Sequence, residues 1–461
     1  MSAALRRLSS TVLAAFVACA SACDGEEHDP RRSVLVIVVD SLHAGHVSAH
    51  GYPRATTPHF DAFAAAGARF EHAYSQSSWT LPSTASLFTA LEQERHGVRT
   101  FDDRLPRAIP TLAERFSAAG YRTCAIVQTP VLSARHGLDR GFERYTVLDH
   151  SHASVDKALQ LAEQAWTREE AKPLFVYLHL APPHMPYQPP TPFAERFGEL
   201  HSAVTGSIED CRRVHRARLA PEHPEVRALA ARYDDHVAYA DDCVGRWLDR
   251  LASHAPRADA WVVWTSDHGE AFQQHGSQGH NATVYEEMIH VPLALRALDG
   301  ALAPRVVADA VSTLDLAPTL LELCGLQPLP VSSTSSHAGV SLAPVLREGS
   351  APVERALFFS SRYKDDQAQL HAAVRRGRWK LLAFGASEQV ALHDLDADPR
   401  ELRDVSAEHS ELASQLAGEL RQWLAELAPA ERAPDRSRAR EASDRARLGE
   451  LGYAEGASER R

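Results

Sequence analysis

The chain has 461 residues, 44% hydrophobic and 24% charged, with a formal net charge of −11. This is ordinary globular composition, long enough for a large core and a smaller appended domain. The acidic balance argues against a nucleic-acid-binding surface, which needs clustered Lys and Arg.

The N-terminus reads as an export signal. Arg6 and Arg7 precede an apolar run from Leu8 to Ala22, too short and wrongly flanked for a membrane span. Cys23 follows Ala20-Ser21-Ala22, which resembles a bacterial lipoprotein cleavage site; Cys19 is a second candidate. The alternative is an ordinary signal peptide with incidental cysteines. Residues 1–23 are therefore expected to be a signal peptide of lipoprotein type and 24–32 a polar tether. The protein would then be exported to the periplasm or cell surface and meet the membrane through a lipid anchor alone. Cys124, Cys211, Cys243 and Cys324 follow, with no Cys-x-x-Cys and no zinc spacing. An exported protein could oxidise a pair of them, and all three pairings stay open. Cys124 and Cys324, in apolar surroundings, read as small core residues.

Val34 to Val39 is a continuous apolar run, as in a parallel strand covered on both faces. Thr57 and Pro58 open a helix that Gly67 stops, and Pro110 to Ala119, closed by Gly120, repeats the pattern. Arg122 to Gln128, Leu174 to Leu180 and Trp261 to Thr265 read as further strands, with helices between them, notably Glu225 to Ser253. The alternation predicts an α/β domain over 33–330: a mostly parallel sheet flanked by helices. Ligands on such folds bind beyond the carboxyl ends of the strands. Asp40, His184 and Asp267 all follow strand ends, so they can converge. Past a Ser-rich link from Val331 to Ala338 the texture changes. Short β-like runs at 356–360, 371–375, 379–384 and 389–395 precede an amphipathic helix from Ser406 to Leu427. These predict a smaller C-terminal α+β subdomain over 351–428, followed by a charged helical tail at 429–461.

Thr80 lies at the mouth of a helix that Pro82 opens, beside free backbone N–H groups that favour an anion or an ionised hydroxyl. Taken alone, Thr80 would read as a helix cap. Asp267-His268, in Ser-Asp-His-Gly-Glu, supplies an oxygen and a nitrogen ligand, and Asp40 a second carboxylate. With the Thr80 oxygen they make four mixed O/N ligands, which suits a divalent metal ion such as Zn²⁺ or Mn²⁺ better than Ca²⁺. His184, His280 and His96 can bind anionic oxygens or protonate a leaving group. With 25 histidines in the chain, each alone says little, and His136, His236 and His254 read as structural or surface residues.

Nine motifs in order make the chain resemble the sulfatase family of the alkaline phosphatase superfamily. They are Val-Val-Asp40-Ser-Leu, Thr56-Thr-Pro-His-Phe-Asp61, Leu81-Pro-Ser-Thr-Ala-Ser-Leu-Phe-Thr, Arg95-His96-Gly-Val, Pro183-His184-Met-Pro-Tyr, Thr265-Ser-Asp-His-Gly-Glu, Tyr285-Glu-Glu-Met-Ile-His-Val-Pro, Leu314-Asp-Leu-Ala-Pro-Thr-Leu-Leu and His393-Asp-Leu-Asp-Ala-Asp-Pro-Arg-Glu-Leu. The resemblance implies an alkaline-phosphatase-like fold and metal-dependent cleavage of sulfate or phosphate esters of small molecules, glycans or lipids. Sulfatases place Cys or Ser where Thr80 stands and oxidise it to formylglycine. Threonine, a secondary alcohol, would give a poorly hydrated ketone instead. The motif's usual Arg is Thr84 here, and the second early metal-binding acid is Ser41. The active site therefore looks closer to the phosphodiesterases and to the phosphoethanolamine and phosphoglycerol transferases, which use a metal-bound Thr. By that resemblance Thr80 attacks phosphorus, a phospho-threonine forms, and water or an alcohol resolves it, with His184 and His280 assisting. The alternatives are a formylglycine-independent sulfuric ester hydrolase and a catalytically inactive sulfatase-like binding protein.

Overall fold

The computed structural model describes residues 32–427 apart from 169–171, 199–203, 253–258, 282, 331–336, 363–369 and 386–388. The expected signal peptide, nearly all of the tether, the charged tail and most of the Ser-rich link lie outside the described residues, as does His254.

The strands are β1 (Val34–Val39), β2 (Ala68–Tyr74), β3 (Arg122–Val127), β4 (Arg144–Val147), β5 (Leu174–Leu180), β6 (Trp261–Thr265), β7 (Ala271–Phe272), β8 (Gln278–Gly279), β9 (His290–Ala297) and β10 (Arg305–Ser312). Eight of them form one sheet in the order β10-β2-β9-β6-β1-β5-β3-β4, and β7 pairs with β8 alone. Only β9 runs against its neighbours. β1 sits inside the sheet because all six of its residues are apolar and buried. Val34, Val36 and Val38 enter the core on one face; Leu35, Ile37 and Val39 enter the core on the other. This is the burial that a parallel strand covered by helices requires.

The register decides where the polar groups meet. Val34 lies opposite Phe175 of β5 and Trp261 of β6, so the carboxyl ends of the three strands are level. Asp40, His179 of β5 and Asp267 therefore arrive at one place. The sequence reading named β1, β3, β5 and β6 but not β2, β4, β9 or β10. β2 and β4 carry mixed, partly exposed patterns, and β10 is an edge strand with a shift in register. These three lack the uninterrupted apolar run that marks the middle of the sheet; β9 has one, Val291 to Leu295, but Pro292 inside it argues against an interior strand.

The C-terminal part is an antiparallel meander of β11 (Leu357–Ser361), β12 (His371–Arg376), β13 (Trp379–Phe384) and β14 (Val390–Asp394) with the helix Ser410–Glu426 packed on one face. Its other face meets the large domain through Phe359, Leu382, Tyr74 and Met288. Between the two, Lys380 is fully buried, 2.9 Å from Glu286 and 3.0 Å from Glu401. Cys124, Cys211, Cys243 and Cys324 are all free and buried, so no pair of them is bridged.

Two local expectations shift. The helix expected to begin at Pro82 begins at Thr80 and ends at Thr89, with extended Trp79 at its N-cap. Thr80 is thus the first helical residue rather than a cap. Pro82 falls third, where its missing N–H removes nothing, because the first four helical N–H groups have no intrahelical partner. Thr57 occupies the N-cap of the helix Pro58–Ala65 but makes no capping bond; its hydroxyl donates to Asp61 Oδ1 at 3.0 Å.

Candidate active site and metal centre

Four side chains named from sequence converge. Asp40 leaves the end of β1, and Ser41 after it takes a left-handed backbone (φ 61°) that turns the chain sharply. Tyr233 fixes the turn by donating its hydroxyl to Ser41 O at 2.6 Å. Asp267 and His268 leave the end of β6, and Thr80 enters from its helix. His268 Nδ1 lies 2.9 Å from Gly269 O, a contact that requires an N–H there. Its Nε2 then faces Thr80 Oγ1 at 3.2 Å, Asp40 Oδ1 at 3.3 Å and Asp267 Oδ2 at 3.5 Å. All four side chains are buried.

Two carboxylates this close repel each other unless a cation lies between them. Burial pushes the Asp40 carboxyl up, yet the charge of His184 and hydrogen bonds from His179 and His268 hold it well below the carboxylate range. Asp267 is raised, first by burial and then by the Asp40 charge. Burial pulls His268 down, but Asp267 and Asp40 override it and lift the imidazole to about 9. Asp267 Oδ1 accepts from Ser41 N at 3.2 Å and His268 N at 3.0 Å, while Oδ2 is buried with no hydrogen-bond partner. Asp40, Asp267 and His268 offer ligand atoms all within 4.8 Å of one another. An orphaned buried carboxylate oxygen, a second carboxylate and an imidazole nitrogen facing both are a donor set that can hold a divalent metal ion. Ser41 supplies no carboxylate; its hydroxyl donates to Asp40 Oδ1 at 3.1 Å.

His184 and His280 flank this cluster. The His280 ring centroid is 4.5 Å from that of His268, and the His184 ring is 4.8 Å from that of His280. His280 Nδ1 lies 3.2 Å and 3.4 Å from the two oxygens of Glu270. Glu270 is fully buried, accepts from Tyr187 Oη at 2.9 Å and is raised to about 7, chiefly by burial.

His96 does not join them. Its Nδ1 accepts from Val98 N at 3.1 Å, which leaves Nε2 as the N–H that meets Ser86 Oγ at 3.0 Å. Burial holds this ring neutral, with a pKa of about 3. Through Ser86 it braces the Thr80 helix, and these contacts do not reach His184 or His280.

Three residues near the cluster went unassigned from sequence. His179 lies 3.4 Å from Asp40 Oδ2 through Nε2, with its Nδ1 3.1 Å from Tyr177 Oη. Its only sequence signal is one imidazole in an otherwise apolar strand. Glu270 stood in the quoted Ser-Asp-His-Gly-Glu motif without a role. His150, whose ring lies 5.2 Å from that of His184, carries no local signal.

This fold, with these groups beyond the carboxyl ends of its central strands, defines a member of the alkaline phosphatase superfamily. The chain belongs to the sulfatase family: the sulfatase family model matches residues 32–326, and a model described as N-sulphoglucosamine sulphohydrolase, C-terminal, matches residues 278–428. It is a sulfatase-like ester hydrolase. Arylsulfatase K of Rattus norvegicus is 25% identical over 84% of this chain and 77% of its own length. Arylsulfatase A of Homo sapiens is 26% identical over 80% and 77%. Among solved structures, the phosphonate monoester hydrolase of Agrobacterium radiobacter superposes with a TM-score of 0.68 at 22% identity, covering 86% of this chain and 96% of that one. A 2-O GAG sulfatase gives 0.70 at 21% identity, over 90% and 96%.

Proposed function

We propose that the chain cleaves phosphate esters, or transfers their phospho group, through a covalent intermediate on Thr80. The observation that carries this reading is the placement of Thr80 Oγ1 3.2 Å from His268 Nε2, at the first residue of a helix and against the Asp40–Asp267–His268 cluster. A secondary alcohol cannot become the formylglycine aldehyde, but it is a competent nucleophile once its proton is removed.

Asp40, Asp267 and His268 would hold a divalent cation, with Zn²⁺ or Mn²⁺ favoured by the mixed donors; it would lower the pKa of a neighbouring alcohol and offset charge on the ester oxygens. The protein supplies the rest. Asp267 and Asp40 draw positive charge to the place where Thr80 must lose its proton. Thr80 Oγ1 forms a bond to phosphorus as the bond to the leaving oxygen breaks. The first-turn N–H groups of the Thr80 helix favour the negative charge that builds there. His280, held neutral by burial and by the His268 charge and with its Nδ1 on the Glu270 carboxyl, takes the Thr80 proton and passes it to the leaving oxygen as that bond breaks. His184, its Nδ1 held 2.7 Å from Met185 O, presents its other nitrogen toward an ester oxygen. Water, or an acceptor alcohol, then attacks the phospho-threonine and restores the hydroxyl. Export with lipidation at Cys23 belongs to the same reading on the sequence signal alone; no helix among the described residues is long and apolar enough to cross a membrane.

The test is turnover of the metal-reconstituted protein on aryl phosphate monoester, phosphodiester and sulfate panels, with Thr80→Ala beside it. Phosphoester turnover that falls by on the order of 10³-fold or more in Thr80→Ala is expected. Sulfate-ester turnover that survives Thr80→Ala would establish the formylglycine-independent sulfatase instead, and silence on every panel the binding protein.

A further inference from the structure

Glu270 and His280, which the proposed reaction uses together, stand at the open end of one small hairpin. Glu270 precedes β7, His280 follows β8, and the register sets Ala271 opposite Gly279. The pairing itself therefore brings His280 Nδ1 to the Glu270 carboxyl. Strands of two residues each hold little on their own. Phe272 anchors the base, its ring 5.7 Å from that of Tyr187 and 5.1 Å from that of Tyr233. At the tip, Gln273 (φ 64°) and His275 (φ 49°) both take a left-handed backbone that residues other than glycine seldom adopt. Such a turn persists where its surroundings hold it.

The hold comes from one side chain. His275 Nδ1 lies 2.9 Å from Glu287 Oε1, and its Nε2 lies 3.0 Å from Glu401 O. A carboxylate and a carbonyl only accept, so each contact requires an N–H, and a ring with both nitrogens protonated is an imidazolium. Its face stacks on Tyr285, with centroids 3.6 Å apart and planes 5° apart. Tyr285 and Glu287 belong to the large domain, whereas Glu401 follows β14 of the C-terminal meander. Of the other charged or titratable groups around the ring, His393 meets Tyr285 and feels the His275 charge, Asp404 and Lys380 stand behind it, and Arg400 lines the same cleft as Glu287. Burial opposes a charged ring, but the hydrogen bond to Glu287 and its charge prevail and raise His275 above its usual 6.5.

We infer that His275 is a pH-dependent latch: as an imidazolium it ties the hairpin tip to the C-terminal meander and so keeps Glu270 and His280 in register for proton transfer, and loss of its proton frees the tip. It acts through those two side chains, as a positioning residue, and the inference rests on the reaction proposed above. A raised imidazole contributes fully below its unfolded value near 6.5 and loses that contribution as pH rises through the folded value, so the latch opens on the alkaline side.

The experiment follows the full chain from about pH 6 to about pH 9 by amide hydrogen exchange of residues 270–280, corrected for the intrinsic rate at each pH, and by kcat on an aryl phosphate ester. Wild type, His275→Gln, His275→Lys and Glu270→Gln are compared. In wild type, hairpin protection and kcat should fall together by about tenfold or more as pH rises. His275→Lys keeps a cation and should hold both across the range, and His275→Gln should be loose at every pH. Wild-type protection that does not change with pH, or a His275→Gln hairpin as protected as wild type, overturns the latch whether or not an ester is turned over. If the hairpin loosens while kcat falls in Glu270→Gln but not in His275→Gln, the latch does not reach the site and the inference falls. If the hairpin loosens and neither variant lowers kcat, the tie at His275 stands and the proton-transfer reading of His280 and Glu270 falls. If no ester is turned over, exchange alone decides the latch.

Discussion

Asp40 and Asp267 bring two carboxylates into a buried site with one imidazole nitrogen facing both. Asp40→Asn or Asp267→Asn removes half of that negative charge, so each is expected to lose most of its bound divalent cation, measured by elemental analysis after gel filtration. Retention of a full complement would show that the cluster is not the metal site. Glu270 acts one step further out, through the Nδ1 of His280. Glu270→Gln keeps the shape and removes the charge, and kcat should fall by about 10- to 100-fold with KM little changed. A pure packing role would leave kcat alone. Asp40, Asp267 and His268 were legible because each follows the end of an apolar run. Glu270 and His179 were not, because their importance lies in the side chain each one faces across the fold, and periodicity carries no such information.

At the scale of elements, the Thr80 helix and the helix Ile208–Arg216 frame the site from two sides. The second is anchored by a capping box. Ser207 Oγ accepts from Asp210 N at 3.2 Å, and the Asp210 carboxylate accepts from Ser207 N at 3.2 Å and Thr205 N at 2.7 Å. Burial opposes the charge, but bonds from Thr205 and Arg213 prevail and depress Asp210 from 3.8 to about 2. A depressed carboxyl stabilises the fold fully above its unfolded value near 4 and loses that contribution as pH falls through about 2. Asp210→Asn should therefore lower stability by about 1 kcal/mol at neutral pH. The gap from wild type should narrow as denaturant midpoints are measured from pH 4 downward; a gap that stays constant would mean the charge is irrelevant. The central strands were readable from unbroken apolar runs such as Val34–Val39. β2, β4 and β10 were not, because strands that are partly exposed carry mixed patterns that resemble loops or helices.

For the molecule as a whole, the joint between the large sheet and the C-terminal meander is ionic at its centre. Lys380, wholly buried, is the cation for Glu286 and Glu401, and Arg375 reaches Tyr74 beside them. Lys380→Ala leaves two buried carboxyl groups without their cation, so unfolding free energy by denaturant titration should drop by about 3–5 kcal/mol. A loss below about 1 kcal/mol would mean the joint is held by Phe359, Leu382, Tyr74 and Met288 alone. The sequence by itself determined the α/β class, the α+β character of the C-terminal part and the residue types available for ester chemistry, because apolar periodicity and strand-end residues are local properties. Only the tertiary structure decided which of those residues meet. The level register of β1, β5 and β6 sets Asp40, His179 and Asp267 at one edge. The same packing sets His96 against Ser86 of the Thr80 helix and leaves all four described cysteines unbridged. Each of these depends on contacts between residues far apart in the chain, which no local pattern encodes.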